Sequence, residues 1–488
     1  MGIVLKQSIK NTLTIYGAFA IGGVNALFLY TSFLEDTYYG LVTFLLSTAN
    51  LLMPLVAFGV QYTILKFYSA YTSKEEKDKF LSIALILPLL VALPIGFLGV
   101  LFYDGISSYL SIKNPVVKEY VSVIYLVAIA TAYFEVFYAW SKVQMQSVYG
   151  NLLKELFSRI AAMVLLFSVY FKWISIESFI WYLTGAYFIR MFLMASYALK
   201  LYRPTFSVQL PENIGEIIKY SLYIILAGAA GTILIDIDKF MIPQKEAIAL
   251  TAYYSVGVYI GSVVETPGRA MSQILHPLIA KALNRNELDE VASLYKKSSI
   301  NLLAISGLVF LLINLNSTEM YELLPEKFRG GVFIVLYISL AKLYHMFLGG
   351  NGAIISNSKY YKVLLPYGVS MAISVIVLNY YLIDWMSIEG AALSTLLVVL
   401  VFNTIKLLYV KIKFDLYPFT SKTGVLLLLL IVFYGLFFFW NFSFHPFLNI
   451  VFKGILITVL YLFMIYKLSI SKDINMVLNK LIKRYLLR

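Results

Sequence analysis

The chain has 488 residues, of which 60% are hydrophobic and 13% charged, and its mean hydropathy is +0.81. A soluble protein carries about twice that charged fraction, so an ordinary soluble domain is excluded. The net charge of +13 is explained better by basic connections on one side of a membrane than by a nucleic-acid partner. The chain has no cysteine and only three scattered histidines, which excludes disulfides and predicts no metal site.

Apolar segments long enough to cross a hydrocarbon core of about 30 Å recur from end to end. They predict an all-α polytopic membrane protein with about fourteen transmembrane helices and short connections. In chain order, the predicted helices are 12–33, 39–66, 80–103, 118–142, 155–172, 176–199, 217–239, 248–275, 299–315, 330–352, 362–383, 387–410, 423–440 and 448–468.

The basic residues indicate an orientation for these helices. When both termini are placed inside, most of the 39 Lys and Arg residues fall in cytoplasmic connections, as Lys74, Lys77, Lys281 and Lys296 do. Cytoplasmic loops of membrane proteins carry such an excess of positive charge. The sequence therefore predicts an N-in, C-in topology.

An internal repeat follows the helices in the same order. A similar five-residue segment occurs twice, as Trp173-Ile174-Ser175-Ile176-Glu177 and as Trp385-Met386-Ser387-Ile388-Glu389. Each copy lies between the fifth and sixth helices of its half. Tyr38-Tyr39 opens the second predicted helix as Tyr253-Tyr254 opens the eighth. Because six helices are an even number, the two halves should insert with the same orientation around a site that lies between them.

The repeat also divides the chain into predicted domains. Residues 1–210 form an N-terminal six-helix lobe, residues 211–415 form a C-terminal six-helix lobe, and residues 416–488 hold two additional helices and a basic cytoplasmic tail.

Four short motifs resemble one group of membrane proteins. They are Asp238-Lys239-Phe240, Ala252-Tyr253-Tyr254-Ser255-Val256, His276-Pro277-Leu278-Ile279-Ala280 and Ile388-Glu389-Gly390-Ala391-Ala392. With the six-plus-six repeat and two added helices, the chain resembles the O-antigen and capsule repeat-unit flippases. These form the polysaccharide biosynthesis branch of the multidrug/oligosaccharidyl-lipid/polysaccharide (MOP) exporter superfamily.

The resemblance implies a V-shaped, MATE-like transporter of two lobes, and not an enzyme. Its expected substrate is an undecaprenyl- or other polyprenyl-pyrophosphate-linked oligosaccharide, flipped to the outer leaflet by alternating access. A bacterial inner membrane or an archaeal plasma membrane is implied, with membrane lipids and polysaccharide polymerase machinery as further partners. No cofactor is expected, and H⁺ or Na⁺ coupling is left open.

A pyrophosphate group needs cationic partners inside the membrane, and Arg can bind phosphate through two hydrogen bonds. The basic candidates within predicted helices are Arg190, Arg269 and Lys342, with His345 one turn after Lys342. Glu265 and Glu135 are candidates for a counter-charge or for ion coupling.

Each candidate also has a structural interpretation. Arg269 is expected to pair with Glu265, four residues before it on the same helical face, and Arg190 is expected to pack against aromatic rings. Lys342 and His345 precede the polar run Gly349-Gly350-Asn351-Gly352, which favours a cavity wall over a lipid face. The structural alternative for them is an interhelical hydrogen-bond cluster. Glu135 has no partner at helical spacing unless Lys142, two turns on, reaches back to it, and it could also stay protonated.

Asp236 and Asp238 are placed at the outer end of their helix, facing water, so a structural role is favoured for both.

Two other functions compete with the flippase. A drug or cation antiporter of the same superfamily needs buried carboxylates, of which the first six helices offer only Glu135. A membrane polysaccharide polymerase or glycosyltransferase would typically have a sizeable loop outside the membrane or an acidic catalytic constellation, and all connections here are short.

Overall fold

The structure is a computed structural model that describes residues 2–207, 209–440 and 444–485. These residues are almost entirely helical, and none of them lies in a strand. The helices of the N-terminal part are α1 (Gly2–Val24), α2 (Tyr30–Phe33), α3 (Asp36–Val56), α4 (Val60–Phe67), α5 (Lys74–Leu101), α6 (Tyr103–Ser111), α7 (Val121–Val143), α8 (Val148–Leu152), α9 (Ser158–Tyr170) and α10 (Ile176–Leu201).

The remaining helices belong to the C-terminal part of the chain. They are α11 (Ile214–Lys245), α12 (Ala249–Ser262), α13 (Thr266–Asn284), α14 (Leu288–Asn314), α15 (Ser317–Glu322), α16 (Val332–Phe347), α17 (Asn351–Ser356), α18 (Leu364–Phe414), α19 (Ser421–Phe438), α20 (Pro446–Lys467) and α21 (Lys472–Tyr485). Short 3-10 turns lie at Tyr68–Ala70, Pro115–Tyr120, Val263–Glu265, Glu326–Phe328 and Tyr361–Val363.

Within the described residues, ten helical segments are long and apolar enough to cross a membrane, and Val332–Phe347 is a shorter apolar helix. Every predicted span lies largely in helix, but several are interrupted, as the second, 39–66, is between the end of α3 at Val56 and the start of α4 at Val60. The two predicted spans 362–383 and 387–410 both fall within α18. The prediction of an all-helical multi-pass membrane protein is confirmed, whereas the count of fourteen stays a prediction.

The break inside α18 occurs where the sequence repeat predicts a turn. Ser387 has φ 53° and ψ −135°, far from helical values. Its counterpart Ser175 also lies outside helix, and its side chain caps α10 by accepting a hydrogen bond from the backbone N–H of Ser178. Both copies of the Trp-containing motif therefore interrupt the helical path.

The chain forms two compact units. The first unit contains Met1–Ser255 and Gly368–Ile388, and the second contains Val256–Tyr367 and Glu389–Arg488. This division falls elsewhere than the predicted lobe boundary at residue 211, and the lobes defined by the repeat stay a prediction.

The first unit is built around α3, α7 and α10. Leu41, Phe44 and Leu45 of α3 are buried with Ala128 of α7 and Phe179 of α10 in one apolar core. Apolar faces that surround a helix on several sides are expected for a central helix of a bundle. α3 and α7 are therefore the central helices onto which the other helices of this unit pack.

Two π-helical turns lie within the first unit, at Asn25–Leu29 and Leu153–Phe157. Such turns are rare and are often found at functional sites. The Asn25 amide donates a hydrogen bond of 2.7 Å to the backbone carbonyl of Arg159, next to the second turn. This contact connects the first helix to the start of α9.

The second unit includes the two helices predicted outside the repeat. Leu426 and Phe437 of α19 and Tyr461 of α20 are buried against α14. The Tyr461 hydroxyl donates a 3.1 Å hydrogen bond to the carbonyl of Ala304 in α14. These added helices are thus part of the core of the second unit.

Candidate functional site

Glu265 lies at a break between α12 and α13, in the second unit. The 3-10 turn Val263–Glu265 ends α12, and Pro267 lies in the first turn of α13, where its missing N–H leaves no further hydrogen bond unmade. Glu265 is consequently the residue that flanks the N-terminus of α13, where the helix dipole favours a negative charge.

The partner of Glu265 differs from the predicted one. Its Oε2 atom lies 2.6 Å from Nζ of Lys342 in α16, with side chains that are 21% and 29% exposed. The structure therefore pairs Glu265 with Lys342 of a neighbouring helix, whereas helical spacing had suggested Arg269. Arg269 is exposed and remains within electrostatic range of Glu265.

His345 extends this group along α16. Its imidazole is hydrogen-bonded to the side chain of Asn403, and its charged neighbours are Glu265, Lys406 and Lys342. The spacing of Lys342 and His345 predicted that they share one face, and both do lie beside Glu265. The group Arg269, Lys342, His345 and Lys406, with Glu265, is called the basic cluster below.

Lys406 is the member that sequence reasoning missed. It lies in the second half of α18, and its Nζ atom is 4.5 Å from the centre of the Tyr367 ring. Tyr367 itself packs edge-on against Phe402. Asn403 and Lys406 are three residues apart on one helix and therefore share a face. This polar face is the sequence feature that could have placed Lys406 at the site.

Three glycines allow α12 and α13 to approach α16 closely. A Cβ on Gly257 would lie 2.9 Å from the Cβ of Ile334, and one on Gly261 would lie 3.0 Å from the Cβ of Ile338. A Cβ on Gly268 would lie within 2.7 Å of Met346 side-chain atoms. Small residues four apart are typical of tightly packed membrane helices, and here they bring Glu265 within reach of Lys342.

We expect Gly261→Val to destabilise the second unit by about 1–3 kcal/mol, as overpacking does in other cores. The added side chain would meet Ile338 and the carbonyl of Val335, and it would push α16 away from Glu265. Thermal unfolding in detergent measures the loss. Gly435→Val in α19 is the matched control, because nothing lies within 4 Å of a Cβ there. Equal melting temperatures for the two variants would contradict the packing argument.

Gly349 and Gly350, in the run for which the sequence favoured a cavity wall, are tightly packed. Gly349 has φ +58°, and a Cβ on it would lie 2.8 Å from both the Ser298 hydroxyl and the backbone N of Ser299. The Gly350 N–H donates a 3.2 Å hydrogen bond to the Ser298 hydroxyl. This run is therefore a packed turn against α14, and Asn351 beside it is buried.

Arg190 lies in the first unit, where its guanidinium packs between two rings. Its central carbon is 4.5 Å from the centre of the Phe134 ring and 4.7 Å from that of Tyr187. A 3.4 Å hydrogen bond connects it to the Thr131 hydroxyl. The side chain is buried, so the geometry favours the interpretation as packing over the one as a phosphate ligand.

We expect Arg190→Met to lower the melting temperature and to leave transport per molecule of folded protein unchanged. The variant keeps an apolar stem between the rings but loses a cation–π contact of about 0.5–2 kcal/mol. Thermal unfolding and a transport assay on the same preparation separate the two effects. Lost transport at an unchanged melting temperature would restore Arg190 as a substrate ligand.

Glu135 has a partner that helical spacing did not predict. Its Oε1 atom lies 2.6 Å from Nζ of Lys154, which belongs to the π-helical turn Leu153–Phe157. The carboxylate is mostly covered, whereas the Lys154 side chain is 43% exposed. The sequence left Lys142 open as a partner of Glu135, whereas the structure pairs this carboxylate with Lys154. Its role in coupling stays a prediction.

Asp236 and Asp238 are buried rather than facing water. Asp236 accepts hydrogen bonds from the amide of Asn50, at 3.2 Å, and from Lys239. Asp238 accepts a 2.6 Å hydrogen bond from the amide of Asn379 and another from the hydroxyl of Tyr254. The prediction that both residues face water is therefore wrong. Their hydrogen bonds fit the structural role that the sequence favoured for both.

The fold is similar to that of several solved transporters. The structure of the lipid II flippase MurJ in an inward closed conformation has a TM-score of 0.73 and 16% identity, over 96% of this chain and 100% of that one. An inward-facing multidrug resistance MATE family transporter of the MOP superfamily has a TM-score of 0.58 and 12% identity, over 85% and 95%.

A MOP superfamily transporter from Pyrococcus furiosus, described as having a binding pocket of reverse polarity that suggests a different function, has a TM-score of 0.57 and 12% identity over 85% and 95%. Among curated protein sequences, none matches this chain significantly.

These features define a multi-pass membrane protein with the fold of the MOP exporter superfamily. Residues 5–283, more than half of the chain, match the family described as polysaccharide biosynthesis protein. The chain belongs to that family, and the resemblance drawn from its motifs is confirmed.

Proposed function

We propose that this protein flips a polyprenyl-pyrophosphate-linked oligosaccharide across a membrane by alternating access. Membership of a polysaccharide biosynthesis family supports a saccharide-bearing substrate. The similar fold of a lipid II flippase supports movement of a lipid-linked molecule. The proposal includes a bacterial inner membrane or an archaeal plasma membrane, with both termini in the cytoplasm.

The observation that carries this proposal is the charge of the basic cluster. Lys342, Arg269 and Lys406 bring three cations to a group with one carboxylate, Glu265. An excess of cations within apolar helices is unfavourable unless an anion or water accompanies it. A pyrophosphate has the charge and the acceptor oxygens to satisfy it.

The members of the cluster have different parts in binding. Glu265 holds Lys342 at 2.6 Å, so that lysine is positioned while the site is empty of substrate. Arg269 is exposed and can offer its planar guanidinium to two phosphate oxygens at once. Lys406, which is near His345, can add a further positive charge that attracts the phosphate. Phosphate binding would then compete with Glu265 for Lys342.

This competition gives Glu265 a place in energy coupling. When Lys342 turns to the phosphate, the Glu265 carboxylate loses its counter-charge, and taking up H⁺ or Na⁺ would compensate for it. Glu135 with Lys154 is a second carboxylate pair with the same property. Coupling of transport to H⁺ or Na⁺ through one of these carboxylates thus belongs to the proposed mechanism.

The antiporter alternative is less well supported by these contacts. A drug cation needs an available carboxylate, but Glu265 and Glu135 each lie 2.6 Å from a lysine. The cluster around Glu265 is net positive, which disfavours a cationic substrate.

The test uses purified protein in liposomes that contain a fluorescent polyprenyl-pyrophosphate-linked disaccharide. A membrane-impermeant quencher or glycosidase reports how much of the probe has changed leaflet. We expect protein-dependent movement of this probe and little movement of the same lipid that carries a neutral head group. Failure to move the pyrophosphate probe, together with ion-driven transport of a cationic dye, would refute the proposal.

A further inference from the structure

The second unit contains a cavity of about 780 Å³ that none of the residues of the basic cluster lines. It lies where α15, α16, α19 and α20 meet, at helix ends on one side of the bundle. Its lining residues combine charged, amide, hydroxyl and aromatic side chains. They include Asn314, Thr318, Glu319, Glu322, Phe333, Tyr434, Phe438, Phe444, Asn449 and Lys453. Its volume is that of a typical ligand pocket, about 300–1,000 Å³.

A buried ion pair forms the floor of this cavity. Glu319 and Lys453 are only 7% and 2% exposed, and Nζ of Lys453 is 3.7 Å from Oε1 of Glu319. The same oxygen accepts a 2.8 Å hydrogen bond from the amide of Asn449. Removing two charges from water costs several kcal/mol per ion before their attraction is counted. The pair and Asn449 therefore supply charged and polar groups to the lining of the cavity.

The charges of the lining exclude a simple anion. Glu319 and Glu322 carry two negative charges, against one positive charge on Lys453. A free phosphate would meet more repulsion than attraction, whereas a ligand with both an ammonium and a phosphate could satisfy all three groups. The site therefore has the opposite net sign from the basic cluster.

The rim of the cavity is apolar and exposed. Phe333, Phe438 and Phe444 are each about half exposed. Phe438 ends the candidate span Ser421–Phe438, Phe444 precedes the candidate span Pro446–Lys467, and Phe333 lies in the shorter apolar helix α16. Aromatic side chains at this level are typical of the membrane interface. These exposed rings favour lipid as the molecule next to the opening.

The cavity and the basic cluster lie at different levels of α16. Phe333 lines the cavity, and Lys342 belongs to the cluster. They are nine residues apart, which at 1.5 Å per residue is about 13 Å along the helix axis. Leu336, the lining residue of α16 nearest to Lys342 in sequence, is still six residues or about 9 Å away, so the cavity is a separate site.

We propose that this cavity binds the head group of a zwitterionic aminophospholipid such as phosphatidylethanolamine. The ammonium lies between Glu319 and Glu322, the phosphate approaches Lys453, and the acyl chains pass over the aromatic rim into the bilayer. This proposal is independent of the transported substrate.

The test measures lipid binding to the purified full chain by native mass spectrometry and by thermal shift in detergent. The probes are phosphatidylethanolamine, phosphatidylglycerol, phosphatidylcholine and soluble phosphoethanolamine. We expect phosphatidylethanolamine to bind at least tenfold more tightly than phosphatidylglycerol, and phosphoethanolamine to bind weakly at the same residues. Equal binding of the two lipids, or no lipid binding, would overturn the proposal. Tighter binding of the soluble compound than of the lipid would also overturn it.

The variants are chosen so that folding can be judged apart from binding. Glu322→Gln changes an exposed residue of the lining, and the matched control Glu326→Gln changes an exposed carboxylate of the same connection that does not line the cavity. The double variant Glu319→Gln with Lys453→Gln removes the buried pair without leaving one charge alone. We expect the lipid preference to fall about fivefold in Glu322→Gln, to vanish in the double variant and to persist in the control. A preference retained by the folded double variant would contradict the site.

Discussion

Replacing Arg269 by Gln should abolish flipping of the lipid-linked saccharide and leave the amount of folded protein unchanged. The Arg269 side chain is exposed, and the carboxylate nearest to it is held by Lys342, so no buried partner is left uncompensated. The loss should be at least tenfold, because a hydrogen bond to a charged group is worth about 1.5–3 kcal/mol. The measurement is the leaflet assay in liposomes, with surface polysaccharide in cells as a second readout.

Two further variants test whether the loss is specific to the guanidinium group of Arg269. Arg269→Lys keeps the charge but not the planar fork, so it should retain part of the activity. Arg285→Gln, at the other end of α13, is the matched control and should behave like the unchanged protein. Full activity of Arg269→Gln would remove this residue from the substrate site. Equal loss in Arg285→Gln would indicate a general effect of charge on insertion.

Neutralising either member of the Glu265–Lys342 pair should destabilise the protein, while neutralising both should restore most of the stability. The pair is mostly covered, at 21% and 29% exposure. Each single variant leaves the remaining charge without its partner. We expect this to cost about 1–3 kcal/mol of stability, which is more than the loss of an exposed pair costs and less than that of a fully buried pair. Thermal unfolding of Glu265→Gln, Lys342→Gln and the double variant forms a double-mutant cycle.

The same three variants separate stability from transport. The double variant should fold but not flip the pyrophosphate probe, because it lacks the Lys342 charge. The ion pair Glu326–Arg329, which is exposed and 3.7 Å apart, is a control that should show a coupling of about 0–1 kcal/mol. Additive destabilisation at Glu265 and Lys342 would show that the two side chains do not interact. Flipping by the stable double variant would show that Lys342 is not required.

The sequence predicts the fold through signals that act locally. Apolar length gives the spanning helices, and Pro and turn residues give their interruptions. The Trp-containing repeat predicts the break that Ser387 makes in α18, because a turn motif can be recognised without knowing its neighbours. The apolar composition of α19 and α20 predicts the helices but not their packing on α14.

The partners of charged side chains could not be predicted in the same way. Glu265 bonds to Lys342, and Asp238 to Asn379, across a long stretch of chain. Helical spacing reports only neighbours on the same helix, so it suggested Arg269 for Glu265. Lys406 was overlooked because a lysine near a helix end usually reaches water.

The π-helical turn that carries Lys154 also affects how this chain can be compared with its relatives. A π-helical turn contains one residue more than a regular turn, and an α-helix rotates by about 100° per residue. Deleting one residue from Leu153–Phe157 would therefore turn Lys154 away from Glu135, although every other side chain stayed the same. In evolutionary terms, we expect relatives with this ion pair to keep the inserted residue. Relatives with a regular helix should show a one-residue gap at this point of an alignment.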